Sequence, residues 1–289
     1  MQKDYIRGLV CASVASAAYG LNPLFALPLY SRGFCVESVL AFRYMIGMGL
    51  LALYIVFFKQ HNFRLKRNEL LPLISCGVLM SLSSLTLYSS YKAMDVGIAS
   101  TLLFVYPVMV AVIMWAFFRE RLSAIMIACL GMAVAGVVVL NWDGGVNVSL
   151  RGVVYVLISA LTWALYLIVI RRTSLQRKEA HTITFYSLLF GLPVFLILLK
   201  GGTALQAPGS LSNWTMMFLM AAIPTIVSML ASALAVQYVG PTITAIFGAL
   251  EPLTAVLIGI FVFGESFTVN LAIGFVLIVL SVSIIALRR

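Results

Sequence analysis

Arg7-Gly8-Leu9-Val10 opens the first long apolar run of this chain, and the same pattern returns 144 residues later as Arg151-Gly152-Val153-Val154. Pro107, Phe118 and Glu120 likewise return as Pro252, Phe263 and Glu265, at a shift of 145. The chain has 289 residues, so the shift is half its length, and 1–143 and 144–289 read as two copies of one unit. Outward from these anchors, ten apolar runs follow: 6–28, 36–58, 70–91, 97–118, 123–141, 152–170, 180–199, 214–237, 242–263 and 268–287. Each copy holds five. An odd number forces the second copy to enter the apolar phase from the opposite side.

Hydrophobic residues make up 63% of the chain, charged residues 10%, and the mean hydropathy is +1.09. A soluble domain carries about 25% charge and about 45–50% apolar residues, so a bilayer is the expected solvent. The runs approach the roughly 20 residues that a spanning helix needs. They are continuous, unlike the short alternating segments of a transmembrane barrel. The expected class is an all-α membrane protein with ten transmembrane helices in two inverted five-helix repeats. Secondary transporters are commonly built from inverted repeats, with solute held at the repeat interface near mid-membrane.

The net charge of +10 invites a nucleic-acid reading, but the location of the charge opposes it. With the N-terminus inside, cytoplasmic segments hold fourteen of the 19 Lys and Arg and the opposite side four, while Arg43 lies within a span. This positive-inside bias places both termini in the cytoplasm of a multi-pass protein, in the bacterial inner (plasma) membrane. Lys3 and Arg7 ahead of the first run imitate a signal peptide, yet its repeat partner at 152–170 is internal, so the first run is read as a retained span. Cys11, Cys35, Cys76 and Cys129 lie far apart, and His61 and His181 stand alone; no disulfide, metal or cofactor is expected.

The chain resembles the drug/metabolite transporter superfamily, in particular its EamA-like ten-helix transporter family. The likeness rests on the two five-helix units and on Arg43-Tyr44 in the second span. It rests also on Ser100-Thr101-Leu102-Leu103-Phe104 through Pro107 to Glu120 in the fourth span, and on Leu250-Glu251-Pro252 through Phe263-Gly264-Glu265 in the ninth. It covers the whole chain. It implies export of amino acids, other metabolites, or dyes and drugs. The first half departs from the family's Glu-Pro pattern with Tyr106-Pro107, which puts a paired-carboxylate site in doubt.

Polar side chains inside the runs are the candidate site residues. In the third span Ser81, Ser84, Tyr88 and Tyr91 recur at one-face helical spacing. Ser84, Tyr88 and Tyr91 suit a cavity wall, while close helix packing is the competing reading of the serines. Tyr19 and Asn22 in the first span stand at the same shift as Trp163 and Tyr166 in the sixth, and suit two walls of one pocket. Arg43 offers a fork for a substrate carboxylate; the rival reading is a clamp on loop carbonyls or Glu37, near enough to the interface to reach water. Glu251 lies near the middle of the ninth span, and a carboxylate without a cation is disfavoured there. It is the proton-coupling candidate, or else a hinge, since Pro252 is expected to leave the Gly248 carbonyl unpaired. Glu120 and Glu265 are expected to serve structure, and Gly131, Ala135, Gly136 and Gly274 to serve packing.

The expected function is a secondary active exporter of a small organic metabolite or amino acid, working by alternating access. The two five-helix units would rock about a central cavity, as monomer or homodimer, with protons as candidate coupling ion and no nucleic acid. No GxxxxGK[ST] is present, so ATP hydrolysis by this chain is not expected. The alternative is an intramembrane enzyme acting on a lipid-linked substrate, but its usual clustered aspartates, His-carboxylate pair or GxSxG are not found, and Asp4, Asp95 and Asp143 lie at span ends.

Overall fold

In a computed structural model, described over residues 2–58, 65–94, 99, 102–120, 122–140, 149–263 and 269–287, the chain is a bundle of helices. His61, Asp95, Ser100, Thr101, Asp143 and Gly264-Glu265 lie outside the described residues. The first span is Gln2–Tyr19 continued by Asn22–Ser31, the second Val36–Phe58, the third Arg67–Ser90, the fourth Tyr106–Phe118 and the fifth Ala124–Leu140. The second repeat supplies Leu150–Arg172, Ala180–Leu198, then Leu211–Ala221 with Ser228–Val239, then Pro241–Phe247 with Leu250–Phe263, and last Val269–Leu287. Among the described residues, the first, second, third, sixth, seventh and eighth spans are long and apolar enough to cross a membrane. The fourth and ninth are shorter because each begins again after a break.

Two breaks match across the repeats. Phe104-Val105 is a turn before Tyr106-Pro107, and Gly248-Ala249 is a turn before Leu250-Glu251-Pro252. Proline at the start of a helix gives up no hydrogen bond that the helix could have used, so these prolines restart helices rather than kink them. The Gly248 carbonyl is not left open, contrary to the sequence reading. It accepts the Glu251 backbone N–H at 2.9 Å, because the tight turn brings a donor three residues on into reach. Two further irregularities were not visible in the pattern: a turn at Gly20-Leu21 and a π-helical segment at Ala222–Val227.

The repeats are units of sequence but not of packing. The most extensive helix contacts join the third span to the sixth and the first to the eighth; these two pairs exchange when the repeats are exchanged. The fifth packs on the tenth and the second on the seventh, each pair being its own counterpart. Hydrogen bonds follow the same rule. Ser83 Oγ donates to the Ser159 carbonyl at 3.1 Å, and its counterpart Ser228 Oγ donates to the Ala15 carbonyl at 2.8 Å.

Small residues allow this interleaving. A Cβ on Gly77 would stand 2.9 Å from Gly191 N, and one on Gly136 would stand 3.0 Å from the Gly274 carbonyl. Gly131 does not belong with them: a Cβ there meets nothing within 4 Å, because it lies on the face of the fifth span turned away from the tenth.

Polar ties across the repeats close both ends of the bundle. At the end carrying the N-terminus, Arg172 Nη2 pairs with Glu120 Oε2 at 3.3 Å, Thr242 Oγ1 donates to Glu120 Oε1 at 3.3 Å, and Lys178 Nζ pairs with Glu69 Oε2 at 2.9 Å. The structural reading of Glu120 fits this geometry. At the far end Arg32 Nη1 donates to Ser212 Oγ at 3.1 Å, and the Gln206 side chain accepts from the Cys35 backbone N–H at 2.6 Å.

Candidate solute site

The break in the first span sets the site. Gly20 lies against the ninth span so closely that a Cβ there would stand 2.8 Å from Thr254 Cβ. The chain turns at Gly20-Leu21, and Pro23 restarts the helix with Asn22 at its head. Tyr19 and Asn22 are thereby aimed at the interior from the two sides of the turn.

Arg43 is 1% exposed, so it does not reach water as a residue so near the span's start was expected to. Its Nε donates to Thr225 Oγ1, Nη1 to Tyr88 OH at 2.7 Å and Nη2 to the Pro224 carbonyl at 3.1 Å. The π-helical widening of the eighth span presents that carbonyl and hydroxyl; such bulges are frequent at functional sites. Glu37 does not pair with it; none of the described ion pairs involves Arg43. Its guanidinium carbon sits 5.9 Å from the Tyr19 ring centre and 5.7 Å from that of Tyr88. Tyr88 OH donates in turn to Asn22 Oδ1, while the Asn22 Nδ2 donors, fully buried, have no hydrogen-bond partner. Buried donors without acceptors are costly. Here the guanidinium, the phenol and the amide converge; among the described residues no carboxylate is hydrogen-bonded to them, and the amide Nδ2 alone is left without an acceptor.

An aromatic wall continues from Tyr19. Its ring stacks on Trp163 at 5.8 Å, and Trp163 stacks on Tyr166 at 5.0 Å. Tyr19 and Trp163 also line a cavity of about 20 Å³ with Tyr106, Ser232, Thr244 and Glu251. That is room for about one water. No hydrogen bond or ion pair to the Glu251 carboxyl is made by the described residues. From Arg43 toward the far end the rings continue. Tyr30 meets Tyr88 edge-on at 6.3 Å, Tyr91 lies 5.5 Å from Tyr88, and Lys92 Nζ stands 5.4 Å from the Tyr30 ring centre.

Tyr19, Asn22, Arg43, Tyr88, Trp163, Tyr166 and Glu251 therefore gather around one axis, with Tyr91 at its outer margin. Ser84 stands apart, 3.5 Å from Tyr44 OH, and Ser81 bonds the Val78 carbonyl of its own helix. The sequence reading missed Thr225, Pro224, Tyr106, Ser232 and Tyr30. Tyr106 was within reach, since it is the counterpart of Glu251 at the 145-residue shift.

A family model described as the EamA-like transporter family matches residues 6–142 and again 150–287. Over 261 residues the chain is 28% identical to the threonine/homoserine exporter RhtA of Escherichia coli K12, covering 88% of this chain and 80% of that one. It is 24% identical over 253 residues to an uncharacterized transporter of Clostridium kluyveri, covering 84% and 81%. It is 27% identical over 254 residues to the uncharacterized transporter YvbV of Bacillus subtilis, covering 84% and 80%. A solved crystal structure, 16% identical, superposes with a TM-score of 0.78 over 96% of each chain, which shows the shared fold.

Proposed function

Because the chain belongs to the EamA-like transporter family and is a multi-pass membrane transporter, we propose that it is a secondary active exporter of a small organic metabolite or amino acid. It works in the bacterial inner membrane with both termini in the cytoplasm. The observation that supports this most is the cluster of buried donors at Arg43 and Asn22, which lacks an anion, set beside a Glu251 carboxyl that lacks a cation.

A solute carboxylate satisfies the first and an ammonium group the second, while Tyr19, Trp163 and Tyr166 cover the apolar part. Asn22 Nδ2 fixes the carboxylate's orientation, and Tyr91 borders the route. Amino acids carry both charges, and the RhtA relative is named for two of them. When no solute is bound, Glu251 takes a proton instead, which couples export to proton entry. Transport proceeds by alternating access as the units 1–143 and 144–289 exchange their arrangements. In that cycle the ties at Glu120 and Glu69 are released for entry and those at Arg32 and Gln206 for exit.

The test is a solute panel with the purified protein in liposomes under an imposed pH gradient. Accumulation of a carboxylate-bearing solute, abolished by collapsing the gradient, supports the reading. Movement confined to solutes without a carboxylate would overturn it.

A further inference from the structure

A second cavity, of about 500 Å³, lies between the second, seventh and eighth spans and takes no part in the solute site. Its walls are Leu51, Tyr54, Leu230 and Leu234, and Ile226 stands at its head. Its base is polar, formed by Glu179, His181 and Gln237, at the end of the bundle that carries the N-terminus. From Ile226 to Gln237 the eighth span rises about 16 Å at 1.5 Å per residue. Half of a hydrocarbon core roughly 30 Å thick is about 15 Å. The cleft is therefore one leaflet tall.

Both charges stand at or beside the rim. Glu179 pairs with His181 Nε2 at 2.9 Å, yet its side chain is 55% exposed, which leaves carboxylate lone pairs facing outward. Arg171 does not line the cleft, but its Nη1 donates at 2.8 Å to the carbonyl of Gln237, which does. An acid and a guanidinium at the mouth of an apolar slot match a headgroup with an amine and a phosphate. A carboxylate hydrogen-bonds an ammonium that has N–H groups and not a quaternary one.

We infer that this cleft binds one acyl chain of a phospholipid with a primary-amine headgroup, drawn from the leaflet facing the termini. The amine sits on Glu179 and the phosphate beside Arg171. The methyl end of the chain rests on Ile226, next to the Pro224 carbonyl and Thr225 hydroxyl that hold Arg43. The bound lipid thus braces the π-helical segment, and transport depends on it.

The experiment is native mass spectrometry of the full-length protein offered equimolar phosphatidylethanolamine and phosphatidylcholine, followed by transport in vesicles of each. The wild type should retain one phosphatidylethanolamine with several-fold preference. Glu179→Gln, isosteric and exposed, should bring the two lipids to parity, and Leu230→Trp should expel both. Equal retention of the two lipids by the wild type, or an undiminished preference in Glu179→Gln, overturns the proposal. Should Leu230→Trp fail to fold, Glu179→Gln decides alone. Asn22→Ala, which acts on the solute site, should leave lipid retention unchanged, so a failure of the export reading stays separate from a failure here.

Discussion

At equivalent places the first repeat carries Tyr106-Pro107 and the second Glu251-Pro252; both open a helix after a break, and Tyr106 and Glu251 line the same small cavity. The frame is shared and the chemistry is not. Arg43 has Ser187 or Leu188 as its counterpart, and Asn22 has Tyr166. The first span is broken where the sixth runs on, and the eighth widens into a π segment where the third stays regular. Symmetry of packing is thus kept between the paired spans and given up around the solute site. A duplicated frame supplies two similar walls, and the cation of one repeat and the acid of the other give the space between them a direction.

Four predictions break or sharpen that comparison. The largest effect concerns inversion. In a cysteine-free background a single cysteine at Gly209 should react with an impermeant reagent added to whole cells, and one at Gln176 should not. Asn62, in the loop of the first repeat that matches Gly209, should be protected, and Gly145, at the junction of the repeats, should react. Reaction at Gln176 from outside removes the inverted arrangement.

Next comes the unequal charge. Arg43→Ala strips the guanidinium from Tyr88, Thr225 and Pro224, and a buried polar group left without its partner costs about 1–3 kcal/mol. Solute flux per transporter should fall by about 100-fold or more, whereas Ser187→Ala should change it by less than about twofold. Equal losses at the two positions contradict the division of roles.

The acid and its counterpart separate in a different assay. Glu251→Gln should still exchange solute across the membrane but lose accumulation driven by a pH gradient. Tyr106→Phe, which gives up a 3.3 Å bond to the Ala245 carbonyl, should keep both activities. Full gradient-driven accumulation in Glu251→Gln makes that residue structural.

The smallest effect concerns packing. Gly136→Leu drives a side chain into the tenth span, and overpacking costs about 1–3 kcal/mol. Membrane abundance should drop, while Gly131→Leu, with open space around it, should leave it near normal. A shared outcome for the two glycines voids the contact between the fifth and tenth spans.

Much of this was legible from residue order alone. Apolar length and charge bias located the second span at 36–58, where the helix is Val36–Phe58, and the seventh at 180–199, where it is Ala180–Leu198. The shift linking Tyr19 to Trp163 also identified two rings that meet in space. What stayed hidden depends on tertiary contact. Gly20 ends a helix because the ninth span presses on it, and a lone glycine in an apolar run does not announce that. Thr225 is an ordinary helix residue until the backbone widens and aims its hydroxyl at Arg43. Gly131 and Gly136 look alike in sequence, and only the neighbour across the gap distinguishes them.

The hold on Arg43 has a consequence for biosynthesis. Its acceptors Thr225 and Pro224 lie 182 and 181 residues further along the chain. Ribosomes add about 5–20 residues per second, so the guanidinium enters the bilayer roughly 9–36 s before those acceptors exist. A nascent helix in that interval has Tyr88 and Asn22 of its own repeat to turn to, and otherwise the lipid headgroups or the protein machinery that inserts it. Variants that weaken the early Tyr88 contact should therefore show their defect first as chains lost before completion.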